Sequence, residues 1–86
     1  MSGKNDCGDS NLSHSICAIR AMLDDAEKEV GAGGGVTAIR AESSHGYSIT
    51  LGMEGRAVTY KYEFEFKDGA PPVIKSRTES VETYGN

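Results

Sequence analysis

The chain has 86 residues, room for one domain and not for two. Thirteen acidic residues face nine basic ones, for a formal net charge of −4, and no basic cluster is present, so direct nucleic-acid binding is not expected. No apolar run approaches the length that spans a bilayer, and residues 1–11, MSGKNDCGDSN, lack the hydrophobic stretch of a signal peptide, so no membrane span and a cytoplasmic setting, bacterial or host, are expected.

Residues 1–9 read as a flexible polar arm. A helix over 10–30 follows, with Asp9 or Ser10 as its N-cap. Leu12, Ile16, Ile19, Leu23, Ala26 and Val30 recur at alternating spacings of four and three, which lines them up as one apolar stripe. Such a helix is roughly 30 Å long. Cys7 and Cys17 are the two cysteines. In a reducing cytosol they read as free thiols, with a bridge from the arm to the helix as the alternative.

The stretch VGAGGGVTAIRA follows, with Gly31 placed as a left-handed helix cap. It does not read as a phosphate loop. A phosphate loop leads into a helix, whose free N–H groups face the anion. Here the helix ends before the glycines and a strand follows. The negative end of the helix dipole is therefore the one presented.

Four strands are expected after Gly35, over 36–43, 47–53, 56–67 and 73–83. Glu54-Gly55 is a two-residue turn, setting Leu51 opposite Val58, Ile49 opposite Tyr60 and Tyr47 opposite Tyr62. Ser44-His45-Gly46, read as a three-residue loop with Gly46 left-handed, sets Ile39 opposite Leu51 and Ala41 opposite Ile49. Across KDGAPP, pairing Phe66 with Ile74 produces three opposite-charge pairs, Glu65–Lys75, Glu63–Arg77 and Lys61–Glu79. The expected fold is α+β: one N-terminal helix packed on a four-stranded antiparallel meander, as a single domain over 1–86.

A helix about 10 Å wide cannot cover four strands at about 4.8 Å spacing. The uncovered face, around Tyr60 and Tyr62 with Ser76, Thr78 and Ser80, is expected to meet a second copy or a partner. The helix also ends on Asp24, Asp25, Glu27 and Glu29, with Lys28 among them. Acids there oppose the helix dipole, and Asp25 and Glu29 repel at i, i+4. A local rule broken in this way can mark a functional surface, so these four are the expected contacts to a basic protein.

No catalytic residue set, metal site or cofactor is expected. His14 and Cys17 lie three apart on one helix face and Cys7 could join them as zinc ligands, but the spacing matches no standard zinc site. The aromatics are not interleaved with basic residues, as a nucleic-acid platform would require. The composition fits a non-enzymatic inhibitor or adaptor for a basic or nucleic-acid-binding protein surface, decoy-like in the manner of phage anti-defence proteins, an analogy of size and charge. The alternatives are a self-assembling subunit, joined through the uncovered face or the edge strand from Val73, and a small-ligand or metal-assisted enzyme using His14 and Cys17.

Overall fold

The computed structural model describes residues 14–31 and 34–84. Helix α1 (His14–Val30) is followed by β1 (Gly35–Ala41), β2 (Gly46–Met53), β3 (Arg56–Glu65) and β4 (Val73–Thr83). All neighbouring strands run antiparallel, in the order β1-β2-β3-β4. The α-β-β-β-β meander is therefore the observed architecture. The arm and the expected helix start at Ser10 lie outside the described residues. Among the described residues, no helix is long and apolar enough to cross a membrane.

α1 lies over the two central strands, β2 and β3. Ala18, Met22 and Ala26, four residues apart, are fully buried there. That spacing puts them in line on one face, and the two alanines keep the contact shallow. The expected stripe is a flank of this face instead. Ile19, Leu23 and Val30 pack partly against the core, while Ile16 is 45% exposed. The helix is thus turned by about a quarter of its circumference from the expected setting. The cause is polar: Asp25 and Glu29 are drawn toward β4 by Arg77.

Gly31 caps the helix at φ +76°, the left-handed conformation that ends helices without a Cβ penalty. The Glu54-Gly55 turn sets the β2–β3 register as expected: Tyr47 pairs with Tyr62, Ile49 with Tyr60 and Leu51 with Val58. These side chains form the core with Phe64. An aromatic row runs along β3 and just past it. Tyr60, Tyr62, Phe64 and Phe66 follow at centroid separations of 6.3, 5.8 and 5.9 Å. His14 closes the row, stacked on Phe66 at 4.4 Å with rings 4° from parallel.

The β1–β2 register differs from expectation by two residues. Ile39 pairs with Ile49 and Ala41 with Tyr47. The loop is longer than three residues because Glu42 and Ser43 both donate backbone N–H groups to the Gly46 carbonyl, and Gly46 donates back to Ser43. Gly46 is not left-handed. Its absent side chain serves another purpose, since a Cβ there would lie 2.8 Å from Ser43 Oγ. An irregularity between Val36 and Ala38 leaves Thr37 out of the pairing. It brings Val36 opposite Leu51 and Ile39 opposite Ile49, so both face the helix side, where both remain exposed.

From Ser76 to Thr83 the β3–β4 register differs by one residue, which moves those side chains to the other face. Arg77 pairs with Tyr62, Glu79 with Tyr60 and Val81 with Val58. The three expected charge pairs do not form. Ser76, Thr78 and Ser80 stand opposite Glu63, Lys61 and Thr59 on the face away from the helix. A second irregularity, between Glu63 and Phe64, shifts the pairing so that Ile74 meets Phe64.

Candidate functional site

The carboxylates of the last helical turns do not form one free patch. Asp25 Oδ2 accepts two hydrogen bonds, from the Tyr62 hydroxyl at 2.8 Å and from Arg77 Nη1 at 2.7 Å. The same nitrogen lies 3.2 Å from Glu29 Oε2. The Arg77 guanidinium carbon sits 5.5 Å from the centre of the Tyr60 ring, within cation–π range. Asp25 and Glu29 are one helical turn apart and so share a face. Arg77 relieves their mutual repulsion and joins the end of α1 to β4.

The electrostatics follow from these contacts. Desolvation raises the Asp25 pKa, but the hydrogen bonds from Arg77 and Tyr62 outweigh it, and the carboxyl is held below its ordinary value. Burial pushes the Tyr62 hydroxyl well up, and its bond to the Asp25 carboxylate adds to that. Tyr60 is raised by burial first and then by the Glu79 and Glu29 carboxylates.

The other two acids behave differently. Asp24 pairs with Lys28 across one turn at 3.6 Å, with both side chains more than 70% exposed. Such a pair contributes little to stability. Glu27 is exposed. Asp24 and Glu27 are thus the outward-facing members of the set, and Asp25 and Glu29 are the members tied to the sheet.

Beside the clamp lies a cleft of about 250 Å³ lined by Glu29, Val30, Arg56, Val58, Tyr60, Glu79 and Val81. Its apolar walls come from α1, β3 and β4. Carboxylates from α1 and β4 border it, and both act on Tyr60. Arg56 also lines it, with Nη2 directed at Met53 Sδ at 3.5 Å.

The expected partner face is corrected by the register of β4. Tyr60 and Tyr62 are 4% and 2% exposed, buried under α1. Ser76, Thr78 and Ser80 are exposed on the opposite face, so the five residues form no common surface. Arg77 and Glu79 take the place expected of the three hydroxyl residues. One signal for this lay in the sequence: only the observed register sets Val58 against Val81.

The expected free thiols are also corrected. Cys17 is buried and disulfide-bonded, and Cys7, the chain's other cysteine, lies outside the described residues. A bridged sulfur is neither a nucleophile nor a zinc-binding thiolate. His14 is engaged with Phe66, and His45 approaches the same ring at 5.8 Å. Among the described residues, no three His, Cys, Asp or Glu side chains are grouped to hold a metal ion.

No protein-family model, curated protein or solved structure matches this chain.

Proposed function

We propose that the chain is a non-enzymatic interaction module, an inhibitor or adaptor that engages a basic protein surface through the acidic end of α1. The observation that carries this reading is the charge imbalance there. Asp24 pairs with Lys28, Asp25 and Glu29 share Arg77, Glu27 is exposed, and Glu79 adds a further carboxylate at the adjoining cleft. Arg77 bridges the two inner acids, which leaves one negative charge over, and ties the helix end to β4, while Asp24 and Glu27 stay exposed. A lysine or arginine of the partner would lay its stem along Val30, Val58 and Val81 and its head near Glu29 and Glu79.

A decoy for a nucleic-acid-binding protein is one form of this function, because acidic side chains can occupy a surface that takes phosphates. The disulfide-bonded Cys17 favours an oxidising compartment over the expected cytoplasmic setting.

The test uses the whole chain as bait on native lysate, at low and high salt, beside the Asp24→Asn/Glu27→Gln variant. Neither residue is tied to the sheet, so the variant should melt like the parent. The expected result is a basic protein, retained at low salt, released at high salt and lost with the variant. Retention unchanged by the double substitution would overturn the reading.

A further inference from the structure

We infer that β4 is a self-pairing edge, through which two copies of the chain join their sheets into one of eight strands. Every residue from Val73 to Thr83 is exposed. The strand is paired on one side with β3, and on its other side it is the end of the sheet. Three of its apolar side chains lie open, Val81 at 53%, Val73 at 49% and Ile74 at 36%. A long, regular, uncovered edge is a template for another strand.

The backbone phase is set by one hydrogen bond. The Tyr84 N–H donates to the Gly55 carbonyl at 3.0 Å, in line with the β3–β4 register. Hydrogen-bonded pairs alternate along an antiparallel ladder. Glu82, Ser80, Thr78 and Ser76 therefore direct their N–H and C=O groups toward β3. Val81, Glu79 and Arg77 direct theirs to the open edge.

The side chains are self-complementary about Thr78. An antiparallel pair of β4 strands centred there sets Arg77 of each copy opposite Glu79 of the other, in the hydrogen-bonding positions. Ser76 faces Ser80 and Thr78 faces Thr78 on the other side. The sheet already joins hydroxyls across strands in this way, Thr50 to Thr59 at 2.9 Å. Charged side chains normally guard an edge, but here opposite signs stand two residues apart and match their own two-fold image. Arg77 keeps N–H donors beyond the nitrogen that serves Asp25 and Glu29. The irregularity near Ile74 lies outside the segment from Ser76 to Ser80. β1, the other edge, suits the role less. It is irregular at Thr37, and its charge is Arg40, with no acid in the strand to match it.

The occupant is therefore a second copy of this chain. The two-fold axis lies perpendicular to the sheet and places both helices on one side. Asp24 and Glu27 are left open in the dimer, whereas Glu79 also borders the cleft assigned to the partner, so the dimer is tested on the purified chain with no partner present.

Sedimentation equilibrium of the purified chain from about 1 to 100 μM should show a reversible dimer, roughly twice the 9.1 kDa chain mass. Glu79→Arg sets arginine against arginine and should weaken dimerisation by at least about tenfold, while the far-ultraviolet spectrum is retained. Amide hydrogen exchange provides a second reading that needs no substitution. The Arg77 and Glu79 amides should gain protection as concentration rises, and the Thr78 amide, facing β3, should be protected throughout. A monomer over the whole range, an open-ended polymer, or Arg77 and Glu79 amides that exchange independently of concentration would each overturn the inference.

Discussion

The Tyr62 hydroxyl donates to Asp25 Oδ2 at 2.8 Å, across 37 residues of chain. It joins the two Arg77 ion pairs in holding this face of α1 toward the sheet. The Tyr62 ring is 2% exposed, and its hydroxyl meets the Asp25 carboxylate beside Arg77. Among the described residues, no buried side-chain polar atom lacks a partner, and Asp25 supplies the one for Tyr62.

Asp25→Ala should therefore destabilise more than Tyr62→Phe. Alanine removes the acceptor of both the Tyr62 hydroxyl and Arg77, at a cost of about 1–3 kcal/mol, whereas phenylalanine removes one bond together with the need for it, at about 1 kcal/mol. Urea titrations followed by circular dichroism measure both. Equal losses would overturn this order.

The same carboxylate predicts an acid limb. Asp25 titrates below its ordinary value when folded and at that value when unfolded. Between the two, the unfolded chain binds more protons, so stability falls as pH drops through that window and is fully present above it. Asp25→Asn should be less stable than the parent at neutral pH and lose less on acidification. Thermal melts from pH 7 to pH 3 provide the comparison.

The setting of the helix is tested by two apolar residues. Met22 is fully buried and Ile16 is 45% exposed, although the stripe in the sequence includes Ile16 and not Met22. Met22→Ala should cost about 2–5 kcal/mol, and Ile16→Ala about 0.5 kcal/mol or less. The reverse order would restore the helix to the orientation that the stripe suggests.

That reversal shows what was legible in the sequence. Element order and the β2–β3 register could be read, because a two-residue turn at Glu54-Gly55 allows one alignment of Tyr47, Ile49 and Leu51 with their partners. The β3–β4 register was not constrained in the same way. The long connection from Phe66 to Pro72 admits neighbouring alignments, and surface charge favoured the one that failed. Val58 facing Val81 was the better guide, because apolar pairing on the helix-facing side outweighs exposed ion pairs. The acids at 24–29 were recognised as unusual. Their division into an inner and an outer pair depends on Arg77, which the one-residue error had turned away from them.

Gly31 allows a cleaner test, because nothing lies within 4 Å of a Cβ built there. Gly31→Ala should cost about 1–2 kcal/mol through the left-handed backbone alone. Gly31→Asn, which tolerates that conformation better, should recover part of the loss. Denaturant midpoints at unchanged slope distinguish this from a change of fold.

Arg77 also bears on the order in which the molecule assembles. Its contact with Asp25 closes 52 residues of chain, joining the first element to the last. Such a closure is entropically expensive to form early. A clamp that closes after the helix and the β2–β3 hairpin have met would act as a latch. Arg77→Gln should then leave the refolding rate nearly unchanged and speed unfolding, moving one arm of the chevron. The lifetime of the folded molecule, more than its speed of formation, would be held by that one guanidinium.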